Sequence, residues 1–407
     1  MTRKAVYVTG MGVVSCLGTG VPAFYEALCA GRCGLGPITR FDLQKNPYNV
    51  SGEVKGFDLS PFEECGLSAG AQFAVQAAAQ ALEGFPHGRL SSVALVLATN
   101  FGPAEVFERE LAAAPAPAGR GYPLAGGFFA EDVRRVADRL GLGGLLVSIS
   151  LSCASGGAAI AYALDLIRAG RADAVLACGY DSLQRMSWAG LSALRVMALP
   201  EDGAPAVVRP FDVERAGTIF SEGAGCLLLE SAESAAGRGA GLLAEVAGAA
   251  ANNNAYHMTH ADEGGQGTCA VIRMALGDAG LSPDGVDQIY AHGTGTKLND
   301  VIESRALHTV FGERAARIPV VSVKGALGHA MGAASSLEAV AAVMTLRTGV
   351  VPPTVNLRDL DPECALDVVR GAPRTVDVTT VLSNSAGIGG ANAAVIVRRP
   401  IPSSPGQ

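Results

Sequence analysis

A cysteine in a small-residue turn is the strongest candidate for chemistry in this chain. Cys153 lies in LVSISLSCASGGAAIAYAL, where a strand-like apolar run turns through small residues into an alanine-rich helical pattern. A thiol at the start of a helix meets unpaired backbone N–H groups and the positive end of the helix dipole, which favour the thiolate. We therefore expect Cys153 to be a nucleophile, although a cysteine in an apolar stretch is more often a small buried side chain. That ordinary role is expected for the other eight cysteines: Cys16, Cys29, Cys33, Cys65, Cys178, Cys226, Cys269 and Cys364.

Two histidines and a lysine in glycine-containing turns are the other candidates. His292 lies in AHGTGT, and Lys324 and His329 lie in SVKGALGHAMGAAS. Each histidine follows an apolar strand-like run, and functional groups collect where strands end in loops. One thiol together with two such histidines and a lysine predicts acyl-thioester chemistry.

The elements that must position these residues alternate between strand and helix. Apolar runs predict strands at 6–10, 93–99, 145–151, 174–179, 225–230, 288–293, 319–324, 380–385 and 393–397. Helical patterns include 69–83, 131–140, 156–170 and 336–349. This alternation predicts an α/β fold of mixed, largely parallel sheets covered by helices.

Composition limits the kinds of partner and environment. The 407 residues contain no long linker or charge block, which predicts one compact body of two fused halves. A formal net charge of −7 without a basic run argues against a nucleic-acid partner. Residues 140–164 carry no charge and could span a bilayer, but their glycines and serines and their change from strand to helix pattern favour a buried core. Nine cysteines without paired spacings and an ordinary N-terminus predict a reducing cytoplasm.

Six motifs, in order, resemble those of the elongating β-ketoacyl-acyl carrier protein synthases (KAS II-like), the condensing enzymes of the thiolase superfamily. They are VYVTGMGVVSCLG, RPFDVERAGTIFSEGAGCLLLE, NNNAYHMT, VDQIYAHGTGTKLNDVIESRALHTVFG, SVKGALGHAMGAA and SNSAGIGGANAAVIV. The resemblance implies a five-layered αβαβα thiolase-like fold of two pseudo-equivalent halves, with the active site between them. We expect the cysteine-bearing half at 1–245, the half with the histidines and lysine at 246–400, and a disordered tail at 401–407. The resemblance also implies a homodimer built through the strand preceding that of Cys153.

The same resemblance assigns the chemical roles. Cys153 would carry the acyl group, and the backbone N–H groups of Cys153 and Ile388 would form an oxyanion hole. His292 and His329 would both donate hydrogen bonds to the enolate that forms when a malonyl group on a carrier protein loses CO2. Lys324 would orient His329 or tune the local field.

Further residues are implied to support the site and its partner. Glu338 is the expected partner of Lys324, and Thr294 and Thr296 would hold the pantetheine arm or only stabilise their turn. Two exposed arginines, Arg195 and Arg120, are expected to dock an acidic acyl carrier protein. No metal or resident cofactor is expected, because the 4′-phosphopantetheine arrives on the carrier protein.

The chain departs from the family pattern at the substrate-facing positions. Ala386 and Ile388 replace the two phenylalanines of the usual NSFGFGG, and Thr218 replaces an aromatic residue near the decarboxylation site. Phe101 stands where a smaller aliphatic residue often lines the acyl tunnel, so we expect a shorter tunnel. These changes favour specialised, polyketide-like metabolism over housekeeping fatty-acid elongation.

Three other functions compete with that of a decarboxylating ketosynthase. A ketosynthase-like cyclase, joining carbons within a tethered acyl or aminoacyl chain without malonyl decarboxylation, is suggested by the altered residues and stays open. A non-catalytic chain-length factor is disfavoured, because such subunits lack the cysteine that Cys153 provides. A thiolase is disfavoured because its second cysteine is missing from GIGGAN.

Overall fold

The computed structural model describes residues 4–58, 67–113, 128–200, 203–258 and 262–400. Arg120, Cys65 and the tail at 401–407 lie outside the described residues. The strands are Val6–Ser15 (β1), Gly18–Thr19 (β2), Gly36–Pro37 (β3), Val50–Ser51 (β4), Ala94–Thr99 (β5), Leu146–Ile149 (β6), Ala174–Asp181 (β7), Gly223–Ser231 (β8), Ala244–Asn253 (β9), Gln288–Tyr290 (β10), Pro319–Val321 (β11), Val350–Val351 (β12), Asp367–Val368 (β13), Arg374–Thr375 (β14), Thr380–Gly387 (β15) and Ala391–Arg398 (β16). The helices are Val21–Cys29 (α1), Ala69–Ala81 (α2), Ala104–Ala113 (α3), Phe129–Leu140 (α4), Ser155–Arg168 (α5), Arg185–Ala193 (α6), Ala232–Gly237 (α7), Gln266–Ala279 (α8), Lys297–Phe311 (α9), Lys324–Leu327 (α10) and Ala334–Thr348 (α11).

The two halves of the large sheet repeat one arrangement. The first half runs β1-β8-β7-β5-β6, and the second runs β9-β16-β15-β10-β11. In each half the first two pairings are antiparallel and the next two are parallel. Strands β1 and β9 pair through Tyr7 with Glu245 and Val8 with Ala244, which joins the halves into one hydrogen-bonded sheet. The predicted pseudo-equivalence of the halves is therefore confirmed.

Helices α5 and α11 lie between the two halves and contact strands of both. Helix α2 packs on the outer face of the first half, and α8 packs on the outer face of the second. Nearly every residue of α11 is buried, as expected for a helix enclosed on all sides. The result is the five-layered αβαβα order that the sequence resemblance implied.

Small residues after Cys153 allow the two central helices to approach closely. Gly156 lies in the first turn of α5, where a Cβ atom would be 2.8 Å from the backbone nitrogen of Ser336 in α11. No real Cβ contact is that short, so only glycine allows this packing. The close approach holds the start of α5, and therefore Cys153, against the helix that carries Glu338.

The free edge of the sheet differs from the expected dimer strand. The strand preceding that of Cys153 is β5, which is hydrogen-bonded to β6 on one side and to β7 on the other. A strand paired on both sides has no free N–H and C=O groups for a second chain. The prediction of β5 as the dimer strand is therefore wrong. The edge strand of the first half is β6, and β13 lies at the opposite end of the sheet.

Two of the cysteines expected to be isolated form a disulfide. Cys178 in β7 and Cys226 in β8 are register partners, with Cα atoms 4.2 Å apart and both side chains fully buried. The sequence separation of 48 residues gives no sign of this, because the antiparallel register alone places the two side chains opposite each other. The expectation of ordinary unpaired cysteines is wrong at these two positions.

The uncharged run at 140–164 is divided between two elements. Its first part contains β6 and its second part begins α5, with the turn of Cys153 between them. Within the described ranges, no helix combines the length and the apolar character needed to cross a bilayer.

Candidate active site

Cys153 lies in a rigid turn between β6 and α5, buried between the two halves. The preceding residue, Ser152, has a φ of 49°, which is uncommon for a residue with a side chain. Ser155 Oγ donates to Ser152 O at 2.6 Å and accepts from Leu151 N at 2.8 Å. The turn that carries the sulfur is therefore fixed by the hydroxyl of the first helical residue.

Burial dominates the electrostatics of the Cys153 thiol. Desolvation raises its pKa to about 11, and the charge of Lys324 and the backbone N–H of Ile388 lower it. The helix start suggested a stabilised thiolate, but the loss of water disfavours the charged form more strongly. The resting group at neutral pH is therefore the thiol, and its proton must leave when an acyl group is loaded.

Two backbone N–H groups converge at the sulfur. The backbone N–H groups of Ile388 and of Cys153 itself both lower the pKa of the thiol. A Cβ at Gly387 would lie 3.0 Å from the backbone nitrogen of Cys153, so the two turns are in close contact. The turn bearing Ile388 is held by Asn253, whose Nδ2 donates to Gly389 O at 2.7 Å. This geometry suits the predicted oxyanion hole, since both donors are backbone groups held in place by their surroundings.

The two predicted histidines meet edge to face beside this turn. The ring centroids of His292 and His329 are 5.3 Å apart, with an interplanar angle of 83°. His329 Nδ1 accepts from Met331 N at 3.3 Å, and Lys324 Nζ lies 3.4 Å from His292 Nδ1. In both rings Nδ1 is thus an acceptor, which assigns the ring proton to Nε2. Burial and the charge of Lys324 hold the pKa of both histidines well below its usual range, so both rings are neutral.

Lys324 directly contacts His292. Its Nζ donates to His292 O at 2.5 Å and to Glu338 Oε1 at 2.6 Å, in addition to the contact with His292 Nδ1. These three contacts use all three ammonium hydrogens. The expected partner Glu338 is therefore in place, whereas the suggested orientation of His329 is not made by direct contact. Lys324 acts on His329 through its charge.

Glu303 fixes the loop of His292 and was missed from the sequence. Its carboxylate accepts from His292 N at 2.7 Å, from Gly293 N at 2.8 Å and from Asn384 Nδ2 at 2.8 Å. Burial raises its pKa to about 7. The signal in the sequence is that VIESRAL places this acidic residue among apolar residues of α9.

Asp181 joins the two loops on the other side of the cysteine and was also missed. It accepts from Thr99 Oγ1 at 2.7 Å and from Phe101 N at 3.0 Å. Its second oxygen accepts from Asn100 N at 2.9 Å and from Gly332 N at 2.6 Å. Asp181 therefore fixes Phe101 relative to the turn that follows His329. Burial raises its pKa to about 6.

A first cavity of about 240 Å³ opens at the reactive groups. Its wall includes most of the predicted residues: Cys153, Thr218, His292, Thr294, Thr296, His329, Ala386 and Ile388. The hydroxyls of Thr294 and Thr296 are 2.9 Å apart, and Thr296 Oγ1 accepts from Asn299 N at the start of α9. These two threonines thus stabilise their turn and also line the cavity.

A second cavity of about 360 Å³ begins on the other side of Cys153. It is lined mainly by apolar side chains, including Phe101, and shares Cys153, Phe220 and Ile388 with the first cavity. Phe220 stacks on His329, with ring centroids 5.6 Å apart. Position 218 thus lacks an aromatic ring, but Phe220, two residues later, places a ring beside His329.

Arg195 lies at the surface between the walls of the two cavities. Its neighbour Leu194 lines the second cavity and Val196 lines the first. The side chain of Arg195 is exposed, with a backbone φ of 55°. The other predicted docking residue, Arg120, lies outside the described residues. In the described part of the chain, no group of three acidic, cysteine or histidine side chains is arranged to hold a metal ion.

Comparisons with known proteins agree with this geometry. The β-ketoacyl synthase N-terminal domain matches residues 3–235, and the β-ketoacyl synthase C-terminal domain matches residues 243–358. The chain is 35% identical to 3-oxoacyl-[acyl-carrier-protein] synthase 2 of Synechocystis sp., covering 98% of this chain and 99% of that protein.

Two solved structures have the same fold over nearly the whole chain. The ishigamide ketosynthase/chain length factor has a TM-score of 0.90 at 36% identity, covering 98% of this chain and 100% of that one. A type II polyketide synthase complex, AntDE:AntF, contains an acyl carrier protein and its ketosynthase bound to the hexaketide. It has a TM-score of 0.89 at 31% identity, with 98% and 100% covered.

Proposed function

Because the chain belongs to the β-ketoacyl synthase family, whose members are acyltransferase-type condensing enzymes, we propose that it loads an acyl group on Cys153 and condenses it with a carrier-bound extender. The observation that carries this proposal is the pair of neutral imidazoles, His292 and His329, in one cavity with the Cys153 thiol. A single histidine would be enough to activate a thiol. Two Nε2–H donors beside a cysteine suit the stabilisation of an enolate.

In the first half-reaction, Cys153 Sγ attacks the carbonyl carbon of an acyl thioester. The carbonyl oxygen becomes negative and accepts from the N–H groups of Cys153 and Ile388. The bond to the pantetheine sulfur then breaks, and the proton lost by Cys153 goes to the leaving thiolate. The acyl chain occupies the second cavity, because that cavity is apolar and begins at the sulfur.

In the second half-reaction, a malonyl-type extender enters the first cavity on its pantetheine arm, beside Thr294 and Thr296. Its thioester oxygen accepts from Nε2–H of His292 and of His329. The bond from C2 to the carboxylate breaks, CO2 leaves, and the electron pair forms an enolate. The enolate carbon attacks the acyl carbonyl and the new C–C bond forms. The bond to Cys153 Sγ then breaks, the sulfur leaves as a thiolate, and it takes up a proton from solvent to restore the resting thiol.

Neutral imidazoles are required for this role at neutral pH. Each donates one hydrogen bond to the developing oxyanion without placing a second positive charge beside Lys324. Burial and the Lys324 charge both lower the histidine pKa values and keep the rings neutral. The buried ion pair of Lys324 with Glu338 in turn keeps that charge compensated.

The partner of the reaction is an acyl carrier protein that supplies the 4′-phosphopantetheine. The AntDE:AntF structure, a ketosynthase together with its carrier protein, supports this. Arg195 is placed to contact an acidic carrier, because it is exposed between residues that line both cavities. The polyketide synthase context of the AntDE:AntF structure supports a role in specialised metabolism.

The chain is proposed to pair with a second copy through β6. This strand lies at one end of the sheet. Its first residue Leu146 is 36% exposed, the preceding Leu145 is 45% exposed, and Tyr162 of α5 is 40% exposed. An apolar edge strand of this kind is normally covered, because its backbone groups are free to pair. Sedimentation equilibrium tests this: a homodimer is expected, and Leu146→Lys should convert it to a monomer.

The cyclase alternative is favoured by one observation. Ala386 and Thr218 leave space in the cavity beside the histidines, where larger side chains would exclude a folded chain. A cyclase would join two carbons of the acyl group on Cys153 without consuming malonyl carrier protein.

Carboxyl-labelled malonyl carrier protein distinguishes the two functions. A ketosynthase releases labelled CO2 and forms a 3-oxoacyl product, and Cys153→Ala stops product formation. Cys364→Ala is the matched control, because Cys364 is a buried free cysteine outside both cavities. Absence of CO2 release, combined with loss of the acyl adduct by cyclisation, would establish the alternative.

A further inference from the structure

The first cavity includes a polar chamber beside Ala386. Its wall consists of Ala386, Asn392, Thr268, Asn254 and Asp262, and we refer to it as the Ala386 chamber. Ala386 and Asn392 are register partners in β15 and β16, so their side chains lie on the same face of the sheet. The chamber therefore begins next to the turn that carries Ile388.

The chamber exists because residue 386 is small. The related synthases commonly have phenylalanine at this position, and its ring would project into the space in front of Asn392. An alanine leaves that space to the substrate. None of the residues on its far wall takes part in the proposed half-reactions, so the mechanism leaves the chamber without a role.

Thr268 and Asn392 leave hydrogen-bond acceptors at the chamber. Asn392 Nδ2 donates to Asn252 Oδ1 at 3.0 Å and to Gly390 O at 2.9 Å, which uses both of its hydrogens. Thr268 Oγ1 donates to Asn392 Oδ1 at 3.4 Å, which uses the hydroxyl hydrogen. The lone pairs of the Thr268 hydroxyl can still accept.

Asp262 adds a negatively charged acceptor. Its carboxylate accepts from Gln266 N, from Gly267 N at 3.3 Å and from Asn254 Nδ2 at 2.8 Å. A carboxylate has about four acceptor positions, so it can accept from a ligand as well. Among the described residues, the wall of the first cavity contains the carboxyl groups of Asp262 and Glu303 but no lysine or arginine. The chamber is therefore complementary to a group that donates hydrogen bonds.

We propose that the Ala386 chamber binds a hydrogen-bond-donating substituent, an amine or a hydroxyl, at C2 of the malonyl-type extender. This inference rests on the proposed function, because the histidines in the same cavity place the extender there. The chemistry is unchanged: C2 loses CO2, its electron pair attacks the acyl carbonyl, and the substituent stays on C2. The product is a 3-oxoacyl group with an amino or hydroxyl group at C2.

Binding tests the chamber without requiring turnover. The probes are malonyl-pantetheine amides with methyl, hydroxyl or amino at C2, three substituents of similar size, and the protein is the Cys153→Ala variant. Calorimetry should show the amino and hydroxyl probes binding about tenfold or more tightly than the methyl probe, as expected for a hydrogen bond to a charged group. Equal affinity of the three probes would overturn the inference.

Three variants and one control variant locate the effect. Thr268→Val and Asp262→Asn keep the side-chain shapes, and each should remove most of the preference for the amino and hydroxyl probes over the methyl probe. Thr309→Val, on the exposed face of α9, is the matched control and should keep that preference. Ala386→Phe should weaken the binding of all three substituted probes relative to the unsubstituted malonyl probe. A preference that survives in the first two variants contradicts the assignment.

Turnover separates this inference from the proposed function. If unsubstituted malonyl carrier protein releases no CO2, the proposed condensation fails, and the binding ratios still decide whether the chamber selects the substituent. If malonyl reacts and the amino or hydroxyl extender reacts no faster than the methyl extender, the chamber assignment fails while the condensation stands.

Discussion

Glu338→Gln is the sharpest test of how the site is held together. Glu338 and Lys324 are each 1% exposed, and their charged atoms are 2.6 Å apart. Glutamine keeps the shape of the side chain and an oxygen that can accept from Lys324, so the substitution removes mainly the charge. An ammonium group without its counter-charge in the core should lower the free energy of unfolding by about 3–5 kcal/mol.

The control is a second ion pair closer to solvent. Arg398 and Glu245 lie 2.7 Å apart at the edge of the core, with exposed fractions of 27% and 8%. Because water screens that pair, Glu245→Gln should cost about 1 kcal/mol or less. Urea denaturation of both variants and of the wild-type protein measures the difference. If Glu338→Gln lowers the free energy of unfolding no more than Glu245→Gln does, the idea that this variant leaves the charge of Lys324 buried and uncompensated is refuted.

The same pair predicts an effect on reactivity. The charge of Lys324 lowers the pKa of Cys153 and of both histidines. Lys324→Met with Glu338→Leu removes both charges, so the core should remain stable while the pKa of Cys153 rises further. The pH profile of Cys153 alkylation by iodoacetamide, followed by intact-protein mass, should shift to higher pH. An unchanged profile would show that Lys324 does not act on the thiol.

Four other outcomes are expected. Cys153→Ala should abolish acyl loading with the fold intact, and an acyl adduct on this variant by mass spectrometry would contradict the nucleophile assignment. Phe101→Ala should lengthen the preferred acyl chain in competition assays. It should lower the free energy of unfolding by less than the loss of about 3–5 kcal/mol expected for a fully buried ring, because Phe101 is only partly buried. Thr218→Phe combined with Ile388→Phe should raise CO2 release from malonyl carrier protein, whereas an unchanged rate would show that the apolar wall is already sufficient. The pKa of both site histidines is lower in the folded protein than the unfolded value near 6.5. Their contribution to stability is therefore present above pH 6.5 and should decline below it. The free energy of unfolding should fall by about 1.4 kcal/mol per histidine per pH unit until the folded pKa is reached.

The reactive groups could be predicted because their sequence settings are local. Cys153 follows a strand-like run and precedes an alanine-rich helix, and the two histidines lie in glycine-containing turns. The strand Ala244–Asn253 was not predicted, because AEVAGAAANN contains only one β-branched residue, Val246, of the kind that usually indicates a strand. Its place in the sheet is set by pairing with β16 and β1, which the local sequence does not encode.

The supporting carboxylates could not be predicted for a related reason. Asp181 and Glu303 are functional only through hydrogen bonds to loops that are distant in the sequence. The high pKa of Cys153 likewise depends on its burial, which outweighs the local helix-start effect. Lys324 could be matched with Glu338 by spacing, but its contact with His292 requires the two loops to be placed side by side.

Phe220 changes the balance between condensation and cyclisation. The replacement of an aromatic residue by Thr218 predicts a weaker apolar wall at the histidines, and hence slow decarboxylation. The ring of Phe220 stacks on His329 at 5.6 Å and lines both cavities, so one face of the extender site remains apolar. An apolar wall disfavours the malonyl carboxylate and not the neutral CO2 that leaves. The space at Ala386 therefore adds room for a substituent next to an extender site that keeps one apolar face.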